Sequence, residues 1–386
     1  MKKFFLLLAS FALLLTSSSS AFPTKQTDRA IKRLTKEFQT VGVSAIIVKD
    51  GKIIYNKAFG YKDLESKEPL RNDDLMRIAS ISKSFTATAF MQLVEQGKVS
   101  LDDDISDLMG FRIRNPHFPD TPITLKMVLS HTASFNDKGG YATLDKINPA
   151  INGDCVEGYR KYEPGKGYRY SNLGLNLAGA ILEKVTGVRF DKYIKKQILD
   201  PLGMYGGYNV DMLDRSKFVN LYNLRKGKFV KSNRAYRSLA NKMPTYVLGY
   251  SAPLFSPTGG MTLSAQELAT YMMMHMNYGE YNGVRIISEE SAKLMQTPVW
   301  NGKGGDHYGL CLKEFHDYID DDKYRGEGRV LIGHTGTNGY GFKGIILWSP
   351  ADNWGIILMI SGHTANRDKD IRKIFINAIY NAGLKK

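Results

Sequence analysis

Several features that define common protein classes are scarce or missing in this chain of 386 residues. Its two cysteines, Cys155 and Cys311, are too few for a disulfide framework and leave only a single disulfide open. With 13 prolines, 24% charged residues and no G-x-y period, the chain is neither collagenous nor a highly charged disordered polymer. Because 43% of the residues are hydrophobic, the sequence predicts a globular protein with a sizeable core.

No uninterrupted apolar stretch reaches the 18 or so residues of a membrane-spanning helix. Residues 4–15 are apolar or small, follow two lysines and precede a serine run that ends at Ala21. As a helix, this stretch would extend about 18 Å, which is less than the roughly 30 Å of a bilayer core. The pattern predicts a secretory signal peptide over 1–21 and an exported mature chain, periplasmic or extracellular, without a stable membrane anchor.

Runs of five or more like charges are also absent. After removal of Lys2 and Lys3, the chain has 51 lysines and arginines against 38 acidic residues, a formal charge of +13. Because these basic residues are scattered, and because the chain is expected to be exported, no nucleic-acid partner is predicted. The charge fits either ordinary solubility or attraction to anionic cell-envelope polymers.

The two ends of the chain have the patterns of one shared antiparallel sheet. A helical period over 28–40 precedes two strand-like runs, 43–48 and 53–59, separated by an Asp-Gly turn. Near the C-terminus, strand patterns at 329–334, 341–348 and 354–360 precede an amphipathic helix over 368–382.

The middle of the chain is dominated by helical patterns, at 82–96, 125–129, 173–185, 190–198, 265–276 and 289–295. The predicted fold class is therefore α/β plus all-α, with a sheet from both termini, covered by terminal helices, and an inserted helical subdomain. A single domain is expected over 22–386, with its sheet part at about 27–75 and 300–386 and its helical part at about 76–299. Residues 204–256 carry six tyrosines without clear periodicity, which fits either a binding loop or a packed surface excursion.

The motifs of zincins, P-loop proteins, α/β-hydrolases and CxxC proteins are missing. Three other motifs occur once each and in this order: Ser80-Ile81-Ser82-Lys83, Tyr170-Ser171-Asn172 and His334-Thr335-Gly336.

These three motifs combine the groups that a serine nucleophile needs. Ser80 and Lys83 are three apart at the start of a helix and therefore share a face, where a desolvated lysine can help to take the serine proton. Tyr170 can act as a second proton carrier, and Asn172 offers both a donor and an acceptor. Alone, each motif also fits a helix-capping serine, a core tyrosine or a structural histidine such as His334. All three ordinary interpretations would have to hold together by coincidence.

The ordered set resembles the serine β-lactamase and penicillin-recognising D,D-peptidase superfamily, in the branch of class C β-lactamases, D-alanyl-D-alanine carboxypeptidases, esterases and D-aminopeptidases. The likeness runs from about 27 to 384 and includes four further stretches: LSHTASF (129–135), EPGKGYRYSN (163–172), SPTGGMTLSAQELA (256–269) and GHTGTNGYGFKG (333–344). It implies a sheet of about five antiparallel strands and an active site in the cleft beside the helical subdomain.

The resemblance also implies a mechanism, in which Ser80 forms an acyl-enzyme while Tyr170 and Lys83 move its proton. The backbone N–H groups of Ser80 and Thr337 would hold the oxyanion, and Asn172 would orient the substrate amide. Neither a metal nor an organic cofactor is implied.

In the third motif, His334 and Thr335 would face the far end of the substrate, and Gly336 would leave room for a substrate backbone along the strand. His334 stands where class C β-lactamases have lysine, so a D,D-carboxypeptidase-type enzyme acting on D-amino-acid or peptidoglycan-derived peptides is favoured. The alternatives are an esterase, a weak β-lactamase acting on β-lactam-like substrates, or a catalytically silent penicillin-binding or sensor protein. If His334 titrates between pH 6 and 8, its charged form would attract a substrate carboxylate, and the affinity for that carboxylate would depend on pH. His131 is expected to be structural.

Overall fold

The computed structural model describes residues 22–300, 302, 307–325, 329–364 and 370–385. The predicted signal peptide and the first two residues of the predicted closing helix, 368–369, lie outside these ranges. The strands of the described chain are β1 (Gly42–Lys49), β2 (Lys52–Asp63), β3 (Glu68–Pro69), β4 (Met76–Arg77), β5 (Gly206–Gly207), β6 (Tyr222–Arg225), β7 (Lys228–Lys231), β8 (Thr262–Leu263), β9 (Glu280–Tyr281), β10 (Val284–Arg285), β11 (Lys313–Phe315), β12 (Leu331–Thr337), β13 (Phe342–Ser349) and β14 (Trp354–Ser361).

The main sheet joins the two ends of the chain, in the order β11-β12-β13-β14-β1-β2-β3. Every neighbouring pair is antiparallel, and β14 pairs directly with β1, where Ile357 lies opposite Ile46. All eight residues of β14 are buried because this central strand is covered on both faces. The sheet predicted from both termini is confirmed, with short edge strands β3 and β11 added to its five long strands.

The described helices are α1 (Thr24–Glu37), α2 (Ser82–Glu95), α3 (Ile105–Met109), α4 (Leu125–Leu129), α5 (Pro149–Asn152), α6 (Asn172–Thr186), α7 (Phe190–Ile194), α8 (Ala265–Met276), α9 (Glu289–Gln296) and α10 (Ile371–Ile379). Helices α1 and α10 cover one face of the sheet, and the core of the helical part packs on the other. The helix predicted over 190–198 ends at Ile194 and continues as a π-helical turn, Lys195–Leu199. Helix α2 is buried along nearly its whole length, polar residues included, which places the first motif at the centre of the molecule.

The tyrosine-rich segment, residues 204–256, is packed on the surface of the molecule and held there by hydrogen bonds of its tyrosines. The Tyr208 hydroxyl donates to the Ser82 carbonyl at 2.8 Å, and the Tyr236 hydroxyl donates to the Val219 carbonyl at 2.9 Å. Tyr250 donates to the Asp145 carboxylate at 2.8 Å. The bonds of Tyr208 and Tyr250 join the segment to α2 and to the turn that contains Asp145, and the bond of Tyr236 lies within the segment.

Cys155 and Cys311 are both buried free thiols, so the disulfide left open by the sequence is not formed. Within the described part of the chain, none of the helices combines the length and the apolar character needed to cross a membrane.

Candidate active site

Ser80 lies in a 3₁₀ turn, Ala79–Ile81, between β4 and α2. Ala79 has a φ of 52°, in the left-handed region that costs a non-glycine residue about 1 kcal/mol or more. The turn that starts at this residue leads directly into α2. Ser80 is half-buried, whereas Ala79 and Ile81 on either side are fully buried. The local strain is therefore held in place by packing, and it leaves the hydroxyl of Ser80 as the accessible group of the turn.

Lys83 lies one turn further along α2, with its side chain completely buried. Its ammonium nitrogen, Nζ, is 3.2 Å from Ser80 Oγ. Nζ also donates to Asn172 Oδ1 and to the Thr258 carbonyl, both at 2.9 Å. Burial lowers the pKa of Lys83 to about 7, because the charged form has lost its water, and the charge of Asp137 opposes only part of this effect. At neutral pH the lysine is thus poised between its charged and neutral forms.

Asn172 begins α6, and Ser171 caps this helix by accepting the Gly174 N–H at 3.2 Å. The carboxylate of Asp137 accepts hydrogen bonds from the Ser171 hydroxyl at 2.9 Å, from the Asn172 N–H at 2.7 Å and from the Leu173 N–H at 3.1 Å. It also accepts from Asn172 Nδ2 at 3.0 Å. Because the amide nitrogen is held by Asp137, the oxygen Oδ1 must face Lys83.

Tyr170 packs against the lysine, with its ring centre 4.7 Å from Lys83 Nζ. Aromatic rings also lie beside it, and the ring centre of His131 is 4.3 Å away. His131 Nδ1 accepts the Ser171 N–H at 3.2 Å, and its carbonyl accepts the Arg169 N–H at 2.9 Å. His131 therefore positions the second motif, in the structural role expected for it.

His334 lies on β12 and is buried. Its Nδ1 is 2.6 Å from the Thr335 carbonyl, which can only accept, so Nδ1 carries the proton and Nε2 accepts from the Tyr308 hydroxyl at 2.7 Å. Burial, reinforced by the charge of Lys83, lowers the pKa of His334 to about 3. The expectation that His334 titrates between pH 6 and 8 is therefore wrong: the histidine stays neutral because both of its nitrogens are used and water is excluded.

Gly336 packs closely against the segment that carries Ser80, and its expected role toward a substrate stays a prediction. A side chain at this position would place its Cβ 2.3 Å from the carbonyl oxygen of Ile78, two residues before the nucleophile. Glycine therefore allows β12 to lie directly against the segment that carries Ser80. Strand β11 pairs only with residues 331–333, so the remaining part of β12, His334 to Thr337, extends beyond it. Thr335 is half-buried there and Thr337 is exposed.

A cation lies at the exposed end of β12. Arg372 Nη1 donates to the Gly336 carbonyl at 3.3 Å and to Thr337 Oγ1 at 3.2 Å. The same guanidinium pairs with Asp370 through two hydrogen bonds, at 2.8 and 3.0 Å. The strand end thus carries a positive group whose charge is partly offset by its neighbour.

The structure brings the first two motifs into direct contact through Lys83 and Asn172, and it places Tyr170 against Lys83. The third motif joins them through the ring of His334, 6.4 Å from that of Tyr170, and through the packing of Gly336. Residues that the sequence analysis did not identify complete the arrangement: Asp137, Thr258, Tyr308 and Arg372. Of these, Thr258 alone lies in a stretch already noted, SPTGG, and its hydroxyl donates to Asn172 Oδ1 at 2.7 Å.

Curated relatives match different shares of this chain. Penicillin-binding protein 4* of Bacillus subtilis is 34% identical over 187 residues, which are 45% of this chain and 40% of that protein. The chain spans less than two thirds of the length of this relative and of Protein flp of Staphylococcus aureus, 62% of which it covers.

Among solved structures, the octameric penicillin-binding protein homologue from Pyrococcus abyssi is 28% identical, with a TM-score of 0.72 over 93% of this chain and 76% of that one. The D-alanine carboxypeptidase AmpC from Burkholderia cenocepacia, at 20% identity, shares the fold, with a TM-score of 0.68 over 93% of this chain and 98% of that one. The profile of the family described as Beta-lactamase matches residues 27–381. The chain therefore belongs to the β-lactamase family and has the β-lactamase/transpeptidase-like fold.

Proposed function

We propose that the protein transfers acyl groups through a covalent intermediate on Ser80, with Lys83 as the base. The observation that carries the proposal is the set of neighbours around Lys83 Nζ. A neutral amine has two N–H bonds and one lone pair. Asn172 Oδ1 and the Thr258 carbonyl, each at 2.9 Å, take the two N–H bonds. The lone pair is then left for the proton of Ser80, whose oxygen lies 3.2 Å away.

In the proposed reaction, Ser80 Oγ attacks the substrate carbonyl carbon while its proton passes to Lys83, directly or through Tyr170. The carbonyl oxygen becomes an oxyanion that the backbone N–H groups of Ser80 and Thr337 stabilise. The C–N or C–O bond then breaks, and the leaving group takes the proton from Lys83. A water molecule attacks the acyl-enzyme and gives its proton to the same base, which returns it to Ser80 Oγ as the bond between the acyl carbon and that oxygen breaks. The acid product and the free serine are released.

The substrate class we propose is a peptide that ends in a D-amino acid, as in cell-wall precursors. Two of the similar proteins are described as penicillin-binding, and the apolar leader at residues 1–21 supports export to the compartment where such peptides occur. A neutral His334 does not attract a carboxylate by charge. That role falls to Arg372 and the hydroxyl groups of Thr335 and Thr337, at the end of β12 that extends beyond β11.

An esterase is the second candidate, and the electrostatics of β12 favour it. With His334 neutral and Arg372 paired with Asp370, the site has little net positive charge at the position expected for a substrate carboxylate. A neutral acyl ester has no carboxylate at that position and would therefore lose no binding energy. The same Ser80 and Lys83 would carry out the chemistry.

The two candidates are separated by offering purified protein a D-Ala-D-Ala peptide, the same peptide with its C-terminus amidated, a p-nitrophenyl ester and a chromogenic cephalosporin. A D,D-carboxypeptidase cleaves the free acid better than the amide, whereas an esterase is fastest on the ester and does not distinguish acid from amide. Ser80→Ala is the control and should abolish every activity above the rate without enzyme. If no substrate is turned over and no covalent adduct forms, the proposed enzyme function is wrong and the chain is a silent member of its family.

A further inference from the structure

A second group of side chains with ligand chemistry lies outside the residues assigned to the reaction. His307, Glu314 and His316 each offer one ligand atom, and these atoms lie within 4.8 Å of one another. Glu314 Oε2 is 3.0 Å from His316 Nε2 and 3.7 Å from His307 Nδ1. The two imidazole rings are 4.2 Å apart between centres. Two imidazoles and a carboxylate thus converge on one point.

The backbone explains why these three residues meet. Glu314 is the middle residue of the edge strand β11, and His316 lies two residues further on, so both side chains point to the same side. The chain before β11 folds back on it, because the Glu314 N–H donates to the His307 carbonyl at 2.9 Å and Tyr308 forms a bridge with Lys313. The reversal brings His307 beside the other two side chains.

The spacing suits a small divalent cation with nitrogen and oxygen ligands. Ligands at about 2.0–2.1 Å from a tetrahedral Zn²⁺ are about 3.3 Å from one another. The separations of 3.0 and 3.7 Å fall on either side of this value. The His307 side chain is 43% exposed, so one side of the cluster is open to water, which can supply the remaining ligand. Imidazole nitrogens select Zn²⁺ over Mg²⁺, which prefers an all-oxygen shell.

The cluster is linked to the active site by its neighbour in the chain. Tyr308 follows His307 and donates its hydroxyl proton to Nε2 of His334, which lies on β12. The ribbon formed by residues 307–316 pairs with β12 through the three residues of β11, and further backbone hydrogen bonds join it to Trp300, Met295 and Leu129. A cation bound by ligands from both arms would add a cross-link at the open edge of this ribbon, next to Tyr308.

We propose that His307, Glu314 and His316 bind a Zn²⁺ ion that holds the 307–316 ribbon against β12. The ion has no part in the acyl transfer; it positions Tyr308 and, through it, His334. The inference is independent of which substrate the enzyme cleaves.

The test measures Zn²⁺ binding to tag-free mature protein by calorimetry, with metal analysis of the dialysed complex. Wild type should bind one Zn²⁺ per chain, and excess Mg²⁺ should not displace it. His307→Ala and Glu314→Gln should each weaken binding by about tenfold or more, since even the loss of a group that supports a ligand costs about 10- to 100-fold. His117→Ala is the matched control, because it removes an exposed imidazole in another part of the molecule and should leave binding unchanged.

Thermal unfolding with and without Zn²⁺ gives a second readout. The ion should raise the unfolding midpoint of wild type and of His117→Ala, because a ligand bound only by the folded state stabilises it. The rise should be absent in His307→Ala, which removes a partly exposed side chain and leaves the core of the protein unchanged. If wild type binds no Zn²⁺, or if His307→Ala and His117→Ala bind it equally well, the site does not exist.

Discussion

The pKa of Lys83 leads to a prediction about how activity depends on pH. An ordinary lysine has a pKa of 10.5, and burial lowers that of Lys83 to about 7, a difference equivalent to about 5 kcal/mol against the charged form. At pH 7 about half of the molecules therefore hold Lys83 as a neutral base, compared with about one in 3,000 for an unshifted lysine. We expect kcat/KM to rise about tenfold per pH unit below pH 7 and to level off above about pH 8.

The assay is the pH dependence of kcat/KM for an uncharged ester, since its own ionisation does not change across this range. His334→Gln is the control: because the pKa of His334 is about 3, removing the imidazole should leave the rise near pH 7 in place. A profile that is flat from pH 5.5 to 8.5, or a rise that disappears in His334→Gln, would show that Lys83 is not the group whose neutral form is required.

Three further predictions concern residues around Lys83 and the end of β12. Asp137→Asn should lower kcat/KM by about tenfold or more, since charge-assisted hydrogen bonds contribute about 1.5–3 kcal/mol. It should also move the rise in the pH profile to lower pH, because the charge of Asp137 raises the pKa of Lys83. A profile that does not move would show that Asp137 has a purely structural role. The free energy of unfolding is measured in urea at pH 7, 8 and 9 for wild type and for Lys83→Met. The difference between the two proteins should rise by up to about 1.4 kcal/mol per pH unit in favour of wild type, because the unfolded lysine still binds a proton that the folded one has lost. A constant difference would contradict the lowered pKa of Lys83. The ratio of kcat/KM for a peptide acid to that for its amide should be independent of pH between 6 and 8, because His334 is neutral throughout. Arg372→Gln should lower this ratio by about tenfold while leaving ester turnover unchanged. A ratio that rises as the pH falls would show that His334 becomes charged in this range.

The sequence predicted the parts of this molecule that depend on local pattern. Apolar runs and turn residues located the five long strands, and the pairing of β14 with β1 follows from the expectation that both termini share a sheet. The spacing of Ser80 and Lys83 predicted their contact, because residues three apart share a helix face. The short strands β3 and β11 were missed because two or three residues show no detectable alternation.

Residues whose role depends on distant chain segments were not predicted. Asp137 lies in an irregular loop, and only the fold brings its carboxylate to the start of α6, 35 residues away in the chain. The neutral state of His334 depends on Tyr308, which precedes it by 26 residues and approaches it across the sheet edge. No spacing rule describes such a contact, so a pKa far below the usual histidine range could not be predicted for His334.

The measurement that most directly tests the proposed mechanism is the location of the acyl group. The protein is treated with a penicillin or a fluorophosphonate, digested with trypsin and analysed by mass spectrometry. Cleavage after Arg77 and Lys83 gives a peptide that contains both Ser80 and Ser82, so fragment ions must assign the modified residue. We predict an adduct on Ser80 that is absent in Ser80→Ala and formed far more slowly in Lys83→Met. An adduct on Ser82 or elsewhere, or one that still forms in Ser80→Ala, would contradict the assignment of Ser80 as the nucleophile.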